Sequence, residues 1–192
     1  MNLVELVSQK LSAYPKRLEH VLGVKERALE FQKIYGGDPK ALETAALLHD
    51  YFKYDTIDAQ IAFIPKDEVE KYKSVKVAYH AIAAAYFAKD HLGIKDTIVF
   101  EAIYYHIWGK KAMNLETMIL STADFCEKNR TFSGAKTVYE LALKDLQKAF
   151  LLSLEYTIEY LKQDGIEPFY EQIEVLNYYK EINYTKSSKS DD

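Results

Sequence analysis

Cysteine is nearly missing from this chain: Cys126 stands alone among 192 residues. No internal disulfide can form, and a reducing compartment is expected. Chain breakers are scarce too. Seven glycines and four prolines leave little for tight turns, which argues against a turn-rich β architecture and favours helices. No apolar stretch approaches the length of a membrane span. Met1 to Tyr14 mixes polar and apolar residues with helical spacing instead of forming a signal-peptide core. A soluble cytoplasmic protein without a membrane partner is the expectation. Positive charge is not in excess either. A net charge of −4 argues against a binder of nucleic-acid backbones, while a nucleotide neutralised locally by metal ions or a few cations stays compatible. Neither GxxxxGK followed by Ser or Thr nor GxGxxG occurs, so no glycine-rich loop of those types cradles phosphate with backbone amides.

What the chain does have is apolar content. At 48% hydrophobic it can bury one substantial core, and a single all-α domain is expected over residues 1–182. The 16 Tyr and 9 Phe are assigned to packing as a class. Apolar spacing predicts a first helix from Leu3 to Leu11, ended near Pro15, and a long second helix over Arg17–Tyr35 stopped by Gly36-Gly37. Asp38 reads as an N-cap with Pro39 at the first helical position, opening a helix that runs to about Asp50. Tyr51 to Lys76 reads as a loop with one short helix near Asp67–Tyr72. Further helices are expected over Tyr79–Leu92, from an Asp96 cap to His106, and over Leu115–Phe125 behind an Asn114 cap. Thr137–Leu143, Asp145–Gln163 and Tyr170–Ile182 complete the set. Residues 183–192, rich in Ser, Lys and Asp, read as a disordered tail.

His49-Asp50 ends the apolar run Ala45-Ala46-Leu47-Leu48 and carries the most information. Neighbouring imidazole and carboxylate supply two coordination bonds from one backbone segment, and Asp is short enough to bridge two ions. Any one histidine on an apolar helix is by default a core residue with one hydrogen bond. The set is less ordinary: His20, His49, His80 and His106 all sit in apolar helical segments, and Asp124 ends Ser121-Thr122-Ala123. A buried carboxylate without a cation costs several kcal/mol. No Lys or Arg adjoins Asp124 before Lys128, so a metal is the economical partner. Imidazole and carboxylate without thiolate point to Fe, Mn or Zn, with Mg less suited to so many histidines.

The order His, His-Asp, His, His and a late Asp resembles the HD-domain phosphohydrolases. The flanking words are more specific: Arg17-Leu18-Glu19-His20-Val21-Leu22-Gly23-Val24, Ala46-Leu47-Leu48-His49-Asp50-Tyr51-Phe52-Lys53, Tyr104-Tyr105-His106-Ile107-Trp108-Gly109-Lys110 and Ala123-Asp124-Phe125-Cys126-Glu127-Lys128-Asn129-Arg130. They resemble the bacterial YqeK-like branch, symmetrical diadenosine-tetraphosphate hydrolases, over about Leu11 to Tyr178. The resemblance implies an HD-domain helical bundle with a binuclear divalent transition-metal centre, iron first, held by His20, His49, Asp50, His80, His106 and Asp124. It implies catalytic roles for Asp50 and Lys53, with Lys53, His80, Gly109, Lys110 and Arg130 on the nucleotide. It implies attack by metal-bound hydroxide, two ADP as products, ADP or GDP as product-like ligands, and a homodimer. Two departures bear on the pocket. Ile107-Trp108 replace the small hydroxyl residues usual after the fourth histidine, and Lys128 replaces the usual Pro.

Several residues have plainer readings. His91 reads as an exposed helix end and Cys126 as a small buried thiol. Trp108 fits either core packing or a lid over a base. Arg17 fits a phosphate contact or a pair with Glu19 or Glu26. Rival functions are another HD nucleotidase, a guanosine tetra- or pentaphosphate hydrolase, a catalytically silent nucleotide-sensing module, and a helical adaptor.

Overall fold

The computed structural model describes residues 2–187, with side chains described through Asn183, and all regular structure among them is helical. Local chemistry sets most boundaries. Asn2 Oδ1 accepts from the amides of Val4 and Glu5 and so caps helix α1 (Leu3–Lys10). Helix α2 (Pro15–Tyr35) begins at Pro15 rather than Arg17, because a proline needs no amide partner in a first turn. Gly36 and Gly37, at φ 85° and 90°, turn the chain as only glycine does without strain. Asp38 then caps helix α3 (Pro39–Leu48).

The stretch 51–76 holds two short helices where one was expected: α4 (Ile57–Ile61), capped by Thr56, and α5 (Lys66–Lys71). Five residues are too few to display a helical period. Helix α4 is tied down by Gln60, whose amide donates to the Phe52 and Asp55 carbonyls. A 3-10 turn (Lys76–Ala78) leads into α6 (Tyr79–Asp90), and α7 (Thr97–Tyr105) starts at the Asp96 cap. Helix α8 (Leu115–Cys126) starts at Asn114, α9 (Ser133–Ala142) earlier than the expected Thr137, and α10 (Leu146–Gln163) at Asp145.

The last helix, α11 (Tyr170–Ser187), corrects the expected tail at 183–192. Buried Val175 and Tyr179 hold it to the core, and one turn further on Asn183 Oδ1 accepts from Gln147 of α10, so the helix persists past Ile182. The remainder of that stretch lies outside the described residues.

Helix α3 is central. Ala41, Leu42 and Ala45 to Leu48 are all buried, with α2 on one side and α7 on another. Burying Leu42, Leu47 and Leu48 contributes about 1.5–3 kcal/mol each. Helix α8 packs against α2 and α7, and α10 covers α8 and α9. On α6, the small side chains of Ala81 and Ala83 to Ala85 are buried around Ile82, and α6 packs along α7. His49-Asp50 therefore leaves the end of a helix packed on both sides. No helix among the described residues is long and apolar enough to cross a membrane.

A candidate metal centre and its cleft

Four imidazoles meet from four helices. His20 projects from the second turn of α2, His49 follows the last residue of α3, His80 lies in the first turn of α6 and His106 follows the last residue of α7. All four are buried. His49 Nδ1 donates to the Ala46 carbonyl at 2.7 Å, His80 Nδ1 to Val77 at 2.6 Å and His106 Nδ1 to Ile103 at 2.7 Å. Each uses a carbonyl three residues back, where a helix or turn end leaves acceptors free. The proton is thereby placed on Nδ1, and Nε2 is left as a lone pair facing the centre.

Asp50 divides its oxygens between two sides. Oδ2 lies 3.5 Å from His20 Nε2 and 3.4 Å from His49 Nε2, while Oδ1 lies 3.2 Å from His80 Nε2. Asp124 Oδ1 lies 3.0 Å from His20 Nε2 and 4.0 Å from His49 Nε2. The donor atoms fall into three overlapping groups, each within 4.8 Å: His20, His49 and Asp50; His49, His106 and Asp124; Asp50, His80 and His106. These residues fit a metal. The Nε2 atoms of His20 and His49 are buried without a hydrogen-bond partner of acceptable direction, an arrangement that a cation resolves.

The charges agree with that donor set. Burial alone would raise Asp50, yet the field of His49 and contacts with His20, His49 and His80 hold it well below the usual carboxylate range. Asp124 is likewise held low, against its burial, by His20 and His49. Burial and then the neighbouring His49 and His80 push His106 down to about 3. His80 is lowered chiefly by burial, whereas His20, although burial opposes it, is raised to about 9 by Asp124 and Asp50.

A cleft of about 830 Å³ opens from the centre along α8, α9 and α10. Lys53, His106, Asp124 and Arg130 stand at its metal end, with Phe125, Phe132 and Tyr156 further along. Lys53 Nζ is 3.4 Å from His80 Nε2, and Arg130 Nη2 is 3.2 Å from Asp124 Oδ1. Ile107 and Trp108 also line it, and Trp108 additionally packs on Tyr72 and Phe169.

The structure thus brings together all six expected ligands, with Lys53 and Arg130. Gly109 and Lys110 are not among the residues lining the cleft. Gly109 sits at φ 73° behind α7, where a Cβ would stand 2.7 Å from Met113 and 2.8 Å from Phe150. Lys110 instead pairs with Glu101 at 2.9 Å. Arg17 pairs with neither Glu19 nor Glu26; its Nη1 is 2.7 Å from Asp50 Oδ2, because the helical turn from Arg17 to His20 carries both to the same face. Glu127, unassigned by sequence reasoning, is buried and lies 3.3 Å from His20 Nδ1. Its neighbour Lys128 is exposed, and nothing local marks the glutamate as buried. Cys126 donates to the Thr122 carbonyl, and burial pushes its thiol up to about 12, which leaves it inert. His91 is exposed and stacks on Phe87.

The HD-domain family model matches residues 17–129, more than half of the chain. The chain is 33% identical over 173 residues to a symmetrical bis(5'-nucleosyl)-tetraphosphatase of Halalkalibacterium halodurans, covering 87% of this chain and 89% of that protein. A protein of the same name from Staphylococcus aureus is 31% identical over 183 residues, with 92% of each chain covered. Among solved structures, a Clostridium acetobutylicum protein described as a predicted HD superfamily hydrolase involved in NAD metabolism superposes with a TM-score of 0.82. That match has 28% identity and covers 92% of this chain and 96% of that one. The chain belongs to the HD-domain family, in the branch that contains the proteins named symmetrical bis(5'-nucleosyl)-tetraphosphatase.

Proposed function

We propose that this chain hydrolyses diadenosine tetraphosphate symmetrically, adding one water and releasing two ADP, at a binuclear divalent-metal centre. One observation carries the reading: four Nε2 atoms and two carboxylates converge at the end of a cleft whose nearby walls supply Lys53, Arg130 and aromatic rings. The names of the relatives in the same branch support the substrate. His20, His49, Asp50, His80, His106 and Asp124 would hold the ions, and the imidazole-carboxylate donor set favours iron, with Mn, Zn and Mg as alternatives. When bound, such ions supply a more acidic water and polarise phosphoryl oxygen.

The chain's own residues do the rest. Asp50 offers one oxygen to each side of the centre and fixes the separation of the two halves. Lys53 and Arg130 offset the polyphosphate charge, Arg130 with a fork suited to two oxygens at once. Phe132, 46% exposed on the cleft, offers a face on which a purine can stack. The resemblance further implies a homodimer, which light scattering of the purified protein checks. A second reading, hydrolysis of guanosine tetra- or pentaphosphate or another nucleotide, draws on Ile107 and Trp108, which depart from the branch's usual residues and line the cleft.

The deciding experiment is metal quantification on anaerobically purified protein, followed by product identification from a panel of nucleotides. Two ADP from diadenosine tetraphosphate are expected. ATP with AMP, or free phosphate alone, would overturn the symmetrical reading. Turnover confined to guanosine tetra- or pentaphosphate would establish the second.

A further inference from the structure

Three of the four central imidazoles settle their Nδ1 protons on a carbonyl three residues back. His20 is placed differently. It lies inside α2, in its second turn, where backbone carbonyls are engaged in the helix's own ladder, so its Nδ1 needs an acceptor from elsewhere. Glu127 supplies it across 107 positions of sequence, with Oε1 at 3.3 Å. This carboxylate is 3% exposed, and among the described residues His20 is its only cationic partner within 4.0 Å.

The glutamate is itself held. It follows α8 in an extended conformation, and its Oε2 accepts from the Asn129 amide at 2.7 Å. The Asn129 side chain reaches back to the Glu19 carbonyl of α2 at 3.5 Å. Space for all this comes from Gly23, three residues after His20 on the same face of α2. A Cβ there would collide with the Glu127 carboxylate and stand 3.2 Å from Asn129 Nδ2. Gly23 has an ordinary helical backbone in the interior of α2, where glycine is less favourable than alanine, so the close approach is its structural use.

We infer that Glu127 is the positioning residue for His20, fixing its ring and its protonated nitrogen, and that Gly23 is the space this requires. The inference rests on the metal-binding reading above. Its consequence is selective. Of the three donor groups, His20 belongs only to that of His20, His49 and Asp50, so loss of Glu127 weakens one cation position and spares the Asp50, His80 and His106 group.

Anaerobic titration with Mn2+ alone tests this, reading stoichiometry and affinity in the metal-free wild type and in Glu127→Gln, Glu127→Ala and Gly23→Ala. Wild type is expected to bind two ions. Glu127→Gln, which keeps the shape and an acceptor oxygen, should weaken one of them by roughly tenfold and Glu127→Ala by roughly a hundredfold. The second ion should be little changed. Gly23→Ala should act in the same direction by displacing the carboxylate. Should Glu127→Ala not fold by circular dichroism, Glu127→Gln carries the test. Two ions bound by Glu127→Gln with wild-type affinity, or equal weakening of both, would overturn the inference. A wild type that binds no Mn2+ under any condition would overturn the metal reading beneath it.

Discussion

Asp50 is buried at the end of α3, with both carboxylate oxygens committed to different imidazoles. Its short side chain leaves no slack, so a truncation cannot be compensated by neighbours. Asp50→Ala should lose metal at both halves of the centre and lower kcat by about a thousandfold or more. Melting curves separate this from a packing effect. Mn2+ at a hundred times its Kd stabilises wild type by about 2.7 kcal/mol, roughly 5–10 °C in a chain of this size, and should leave the variant unmoved. An equal shift in both proteins would show that Asp50 is no ligand. Lys53 and Arg130 act on substrate charge, so Lys53→Ala and Arg130→Ala should each reduce kcat/KM by about 10–100-fold, mainly through KM. A variant with unchanged KM and kcat would remove that residue from the substrate site. At this scale the ligands were legible because imidazole and carboxylate are rare in apolar helices. Glu127 and the Arg17–Asp50 pair were not, since nothing local tells a buried glutamate or a paired arginine from a solvated one.

The helices themselves were largely readable, and the reason is the capping chemistry. Asp38, Asp96, Asn114 and Asp145 each accept from an amide of the first turn that follows. Elements without a long period escaped, as α4 did. The glycine after α7 shows the opposite failure: a motif suggested a nucleotide contact where the element supplies a turn. Gly109 closes α7 through its amide on the Tyr105 carbonyl, at a φ that a side chain resists. Gly109→Ala should therefore destabilise the fold by about 1–3 kcal/mol in urea unfolding, with Mn2+ affinity unchanged. Raised KM at unaltered stability would return Gly109 to the substrate wall.

For the whole molecule, the centre predicts a pH optimum of stability in the metal-free protein. His106 is held at about 3, below its unfolded value near 6.5, so the unfolded chain binds more protons and stability falls as pH drops below 6.5. His20 is held at about 9, so the folded chain keeps a proton the unfolded chain has released, and stability falls as pH rises from 6.5 through 9. Asp50 and Asp124, held low, withdraw their contribution only below about 3.8. Thermal melts of metal-stripped protein should peak near pH 6.5. Because a metal ion and a proton compete for His20, Mn2+ should move the peak to higher pH. A flat profile from pH 5 to 9 would contradict this assignment of charges.

Composition, caps and apolar period were enough to make this chain all-helical, because each acts over a few residues of backbone. The donor inventory was equally local: four histidines and two aspartates in apolar settings announce metal chemistry before any fold is known. Convergence is another matter. That Asp50 faces His20 on one side and His80 on the other, or that Glu127 reaches His20 through the room left by Gly23, depends on how α2, α3, α6 and α8 pack. Those distances are set by side-chain volumes summed across the core, a property no single segment of sequence contains.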